Sequence, residues 1–131
     1  MSSSRTRLRL AAIVTAVYWL GILTLTHLPP TRLPETHVSD KLEHFVAYFI
    51  LGILLWTTLR LLRPQWPISR ITLIVVPILL AYGALDELTQ PWSHRTCSLY
   101  DWYADASGAA AAAIVSVGVV GPLLSPPKAR S

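Results

Sequence analysis

Cysteine is nearly absent. Cys97 is the only one among 131 residues, so no disulfide can form within the chain. Charge is scarce as well. Asp, Glu, Lys and Arg make up 14% of the residues, against roughly 25% in a soluble domain, which argues against an ordinary water-soluble globule. Apolar and polar residues nowhere alternate with period two, which excludes strands and a membrane barrel. The net charge of +4 would suit nucleic acid, but the basic residues gather at the ends of apolar blocks and form no stripe, which excludes that partner. There is no HExxH pairing, no recognisable activated serine, no internal repeat and no sign of a second domain.

What is present is hydrophobic. Apolar residues make up 53% of the chain and are gathered into four blocks. The blocks predict helices over about 8–28, 41–62, 71–90 and 100–124, each near the roughly 20 residues that cross a bilayer. The expectation is an all-α, multi-pass bundle forming a single domain over 1–131 in the cell membrane. The first block has the basic start and apolar middle of a signal peptide. It is too long and lacks a small-x-small cleavage site, so it reads as a retained helix ended by Pro29-Pro30. Pro77 predicts a kink in the third helix, and Gly121-Pro122 predicts the end of the fourth.

Basic residues orient the bundle. Arg5, Arg7 and Arg9 precede the first helix, Arg60, Arg63 and Arg70 surround the middle connection, and Lys128 and Arg130 follow the fourth. Only Arg32, Lys41 and Arg95 fall on the other side. The bias puts both termini in the cytoplasm. All seven carboxylates (Glu35, Asp40, Glu43, Asp86, Glu87, Asp101, Asp105) then lie on the outer side. Trp92, Tyr100, Trp102 and Tyr103 would form an aromatic belt there. Cys97, His27 and His37 read as ordinary loop or interface residues.

The carboxylates follow helical spacing. Asp40, His44 and Tyr48 stand at i, i+4 and i+8, so one face carries all three, with Ser39 or Asp40 capping the helix and Glu43 in its first turn. Tyr82, Asp86 and Gln90 repeat likewise, with Glu87 beside them, and Asp101 and Asp105 open the fourth helix below Arg95. Beneath these, Ala104, Gly108, Ala112 and Ser116 form a face of small residues that admits a neighbouring helix, so the fourth helix is expected to be the most buried. Three helices thus bring ionisable groups to one depth, where a bilayer tolerates them only if paired or functional. As a purely structural cluster, Asp101 would pair with Arg95, and His44 would bond Asp86 or Glu87. As a site, His44, Asp86 and Glu87 are the candidates for general acid/base work or for a divalent cation, with magnesium or manganese suiting so many carboxylates better than zinc. Asp40, Lys41, Tyr48, Gln90, Arg95, Asp101 and Asp105 are candidate binding residues.

Asp40-Lys41-Leu42-Glu43-His44 with Tyr48, then Asp86-Glu87-Leu88-Thr89-Gln90, then Arg95 followed by Asp101 and Ala104-Asp105-Ala106-Ser107-Gly108, together resemble the VanZ-like family of small membrane proteins. That family is named for a protein associated with resistance to the glycopeptide teicoplanin. The resemblance implies a polytopic membrane protein of the cell envelope, with those motif residues at its site. Three functions follow as expectations. The first is a binding protein whose outward pocket holds a cell-wall precursor, a lipid headgroup or a glycopeptide, Lys41 and Arg95 gripping a phosphate or carboxylate. The second is a metal- or His-dependent enzyme acting on a lipid-linked or phosphorylated substrate. The third, an ion-coupled transporter, ranks last, because four short helices with polar groups at one end would need an oligomer to make a path.

Overall fold

The computed structural model describes residues 2–32 and 38–124, and among them every long element is a helix. Glu35 and His37 of the first connection, with Lys128 and Arg130 of the tail, lie outside the described residues. Helix α1 is Ser2–Thr26, α2 is Asp40–Leu62, α3 is Ile68–Thr89 and α4 is Leu99–Val115. Spans of 23, 23, 26 and 26 residues, with mean hydropathy from 1.8 to 2.0, make four helices long and apolar enough to cross a membrane.

Several boundaries differ from the sequence expectation. Helix α1 begins six residues before position 8, because Arg5, Arg7 and Arg9 are good helix formers and nothing before Leu8 breaks the turn. It also stops at Thr26, two residues short of Leu28. Helix α3 starts at Ile68, three residues before the expected 71, directly behind Pro67 with its helix-compatible φ of −64°. Pro77 lies inside α3, which continues on both sides of it. Gly121-Pro122 does not end the last helix. After α4 the chain makes a π turn, Ser116–Val120, closed by the Gly121 N–H donating to Ser116 O, and resumes as α-helix over Gly121–Leu124. The wider turn carries the chain past the proline.

Helices α2 and α4 form the closest pair, and glycine is the reason. A Cβ on Gly108 would strike the Phe45 carbonyl oxygen, and one on Gly52 would sit 2.5 Å from the Ala112 Cβ. Small residues let the backbones meet where lipid offers no hydrophobic drive to bring helices together. The interior is completed by Tyr48, Leu51, Trp56, Ile71, Val75 and Leu79, all buried, while Leu10, Val17, Leu20, Leu73, Ile114 and Leu123 are exposed on the outside of the bundle. Helix α4 has the largest buried share, 28% of its apolar window, as the small-residue face led us to expect; α1 has the smallest, 11%.

Polar stitches hold what packing does not. Thr15 Oγ1 on α1 lies 2.8 Å from Thr58 Oγ1 on α2, and Tyr18 O–H donates to Ala47 O at 3.3 Å. The Trp56 indole N–H donates to Thr72 Oγ1, tying α2 to α3. Trp102 adds another stitch: its indole N–H donates to Leu80 O of α3 at 3.1 Å. Trp92, Tyr100 and Tyr103 are exposed, as the belt requires. At the basic end, Arg60 donates to Pro64 O and Trp66 O, and the Arg70 guanidinium lies 4.2 Å from the centre of the Trp66 ring, closing the middle connection.

Candidate functional site

The polar end is where α1 and α3 finish and α2 and α4 begin. Helix α2 starts at a Ser39 cap, whose Oγ accepts from Leu42 N, so the capping role falls to Ser39 and Asp40 becomes the first helical residue. That register turns His44 and Tyr48 inward and leaves Asp40 exposed. Ser98 caps α4 in the same way, accepting from Asp101 N, which places Asp101 and Asp105 on the buried face one turn apart. Between α3 and α4 the chain makes a 3₁₀ turn, Gln90–Ser93, then reverses at His94, whose φ of 58° is the one left-handed non-glycine conformation among the described residues. Histidine is one of the residues that tolerates it. The reversal brings Ser98 N within 2.8 Å of Glu87 Oε2, to which it donates.

At the centre lies His44. Its Nδ1 lies 2.9 Å from Asp105 Oδ1, within hydrogen-bond distance, and Glu87 Oε1 is 3.9 Å from the same nitrogen. All three residues are buried. Gln90 Nε2 donates to Glu87 Oε1 at 3.4 Å, closing that side. Among the described residues, the second Asp105 oxygen, Oδ2, and the Tyr48 hydroxyl have no hydrogen-bond partner, although Asp105 and Tyr48 are each 1% exposed. Gly83 packs closely opposite them: a Cβ there would lie 3.1 Å from Asp105 Oδ2 and 3.3 Å from Tyr48 Cε1, a tight contact. The Tyr48 ring stacks on Tyr82, centroids 5.8 Å apart, and Trp19 of α1 meets Tyr82 edge-on.

Asp86 keeps different company. It was expected beside His44 and Glu87, but it faces α1, accepting from Thr26 O–H at 2.8 Å, with His27 Nδ1 3.6 Å away. The reason is helical: consecutive residues point about 100° apart, so two adjacent carboxylates cannot enter one cluster. The buried group that brings candidate ligand atoms together is His44, Glu87 and Asp105, and Asp86 is not part of it. Its donor atoms lie within 4.8 Å of one another, and a second group, Asp40, His44 and Asp101, meets the same limit. These groups could hold a metal ion.

Arg95 does not pair with Asp101. Its guanidinium lies 3.9 Å from Asp40 Oδ1, and because the Asp40 side chain is 56% exposed the contact is a weak surface pair. Lys41 is exposed. Lys41 thus sits outside the cluster, whereas Arg95 reaches its rim through Asp40. Thr26, His27, Thr89 and Ser98 were not expected in the polar network. His27 Nε2 lies 2.9 Å from Thr89 Oγ1, so the supposedly ordinary interface histidine joins α1 to α3. The signal available was position alone, since Thr26-His27 ends its helix at the depth where Asp86 ends another. Cys97 lies in the connection before α4, as expected, but is exposed there rather than packed.

No protein-family model, curated protein or solved structure matches the chain.

Proposed function

We propose that this is a VanZ-like membrane protein whose polar end faces the outside of the cell, holds a divalent cation on His44, Glu87 and Asp105, and through that cation binds an anionic component of the envelope. Wall precursors, lipid headgroups and glycopeptides such as teicoplanin all offer phosphate or carboxylate oxygens for such a contact. The observation that carries the reading is the convergence of an imidazole nitrogen and two carboxylates in a buried cluster where a further carboxylate oxygen, Asp105 Oδ2, has no partner among the described residues. Buried carboxylates without enough donors invite a cation. Ligand bonds of about 2.1 Å allow two donors to stand at most about 4.2 Å apart, and the 2.9 and 3.9 Å separations at His44 Nδ1 fall inside that limit. One imidazole among oxygens favours magnesium or manganese. Lys41 and Arg95 fit less well as the anion grip, the first being exposed and the second lying against Asp40.

The test is unfolding of the purified protein in detergent with manganese added. A cation that binds only the folded state at a hundredfold excess over its dissociation constant should stabilise it by about 2.7 kcal/mol. Glu87→Gln and Asp105→Asn should abolish that gain. No gain, together with variants less stable than wild type, would make the cluster a structural ion pair. A membrane-embedded enzyme acting on a lipid-linked or phosphorylated substrate is the second reading. It is favoured by the second acidic group, Asp40 and Asp101, around the same imidazole, which could hold another cation or accept a proton. Failure to turn over any lipid phosphate with manganese present would remove it.

A further inference from the structure

Four buried oxygens stand outside the hydrogen bonds of the polar end. Asp86 Oδ2, Asp105 Oδ2 and the hydroxyls of Tyr48 and Tyr82 have no hydrogen-bond partner among the described residues. Asp86, Asp105 and Tyr48 are 2%, 1% and 1% exposed. Three helices bring them together. Tyr82 and Asp86 stand one turn apart on α3, so they share a face. The Tyr48 ring of α2 stacks on the Tyr82 ring. Asp105 Oδ2 of α4 and Tyr48 Cε1 both border Gly83, 3.1 and 3.3 Å from where a Cβ would stand. Of the charges around it, the Tyr48 hydroxyl feels Asp105 most and Asp86 next, and the two carboxylates repel each other.

The cluster at His44 does not serve these atoms. Its shortest separation runs through Asp105 Oδ1, and Asp86 is not part of it. On Asp86, Oδ1 accepts from Thr26 O–H, and His27 Nδ1 lies 3.6 Å from that same oxygen on a side chain 25% exposed. A buried carboxylate oxygen with neither donor nor counter-ion is costly, and so is a buried hydroxyl. A proton on Asp86 would not relieve the group. A shared proton draws two oxygens into a hydrogen bond, and none of the four is hydrogen-bonded to another. A shared cation does the reverse. Oxygens each about 2.4 Å from one ion stand roughly 3.4–4.8 Å apart, near enough to share it without bonding one another.

We infer that a sodium ion binds between Asp86 and Asp105, held by the two Oδ2 atoms and the hydroxyls of Tyr48 and Tyr82. The donors are all oxygen, which suits a hard cation. Calcium takes six to eight oxygens, and four fall short. A monovalent ion balances the charge of Asp86, whereas Asp105 already faces His44. Close packing around Gly83 suits sodium better than the larger potassium. The site is separate from the divalent one proposed above and shares only Asp105 with it, through the other oxygen.

The test is unfolding of the full chain in detergent with EDTA, in sodium, potassium or N-methylglucamine chloride at equal ionic strength and pH. Sodium should stabilise saturably, shifting the unfolding equilibrium about a hundredfold at a hundredfold excess over its dissociation constant. Potassium should act only at higher concentration, and N-methylglucamine should give no gain. Asp86→Asn keeps the shape and removes the charge. It should abolish the sodium gain while retaining the helical circular dichroism of the wild type, which shows that it is folded. Tyr48→Phe removes one ligand and no charge, and should move the sodium titration to higher concentration. Equal stability in sodium and potassium overturns the inference, as does a sodium gain that survives Asp86→Asn. Should Asp86→Asn fail to fold, an unmoved titration in Tyr48→Phe overturns it. A parallel run with manganese and no EDTA separates the two sites. Stabilisation by manganese but not by sodium rejects this site and leaves the divalent one, and the opposite result rejects the divalent one alone.

Discussion

Asp86 and Asp105 are the same side chain in two settings, and their variants should differ accordingly. Asp105 is buried with one oxygen held by an imidazole and the other without a partner. His44→Leu removes that donor and strands the carboxylate, so it should cost about 3–5 kcal/mol in detergent unfolding. Converting both, His44→Leu with Asp105→Leu, should recover most of the loss, because an apolar pair needs no donor; a double variant as unstable as the single one would refute this. On the other side, His27 is 25% exposed and Asp86 keeps its bond from Thr26 when His27 is lost. His27→Ala should therefore cost no more than about 1 kcal/mol. Much of this was legible: helical spacing put His44 and Tyr48 on one inward face and marked Glu87 and Asp105 for the site. Asp86 was misplaced because its charge was weighed without its direction, and the threonines were overlooked because a hydroxyl carries no charge signal.

Helix packing depends on a few missing methyl groups. Gly108→Ala would drive a Cβ into the backbone of α2 at Phe45, where nothing flexible can yield. A loss of about 1–3 kcal/mol is expected, the usual cost of overpacking. Gly21 on α1 has nothing within 4 Å of the same position, so Gly21→Ala should be neutral or stabilise by up to about 1 kcal/mol through helix propensity. Unfolding both variants in mixed detergent separates the two cases, and equal effects would mean that the close approach of α2 and α4 does not matter. The face of small residues on α4 was readable from its four-residue spacing. Its counterpart Gly52 was not, since nothing local says which helix a lone glycine will meet. The helix ends shifted for a related reason: apolar blocks mark where lipid is, whereas helices extend as far as capping and breakers allow.

As a whole the molecule is polarised, with ionisable side chains clustered at one end and arginines at the other. The excess of basic residues beside the amino terminus and the middle connection predicts that this end stays in the cytoplasm. A membrane-impermeant maleimide should then label Cys97 on intact cells, and reporters fused to either terminus should register as internal. Labelling only after permeabilisation would invert the bundle, and the envelope reading would fall with it. Four spans could be counted from composition alone, because long apolar blocks are unambiguous. The neighbours of each helix could not, because two glycines and a handful of hydroxyls decide them.

The bonds from Thr26 to Asp86 and from His44 to Asp105 share a direction along the chain that bears on how the protein is made. In each, the donor precedes its carboxylate by a full helix or more: Thr26 is translated before Asp86, and His44 before both Glu87 and Asp105. A nascent chain therefore delivers Asp86 and Asp105 into a bilayer where their partners Thr26 and His44 already wait. Each acid can leave the headgroup layer by docking, without first crossing into hydrocarbon alone. The same four helices joined in reverse order would present the acids first, and would be expected to stall at insertion even if the finished fold were equally stable.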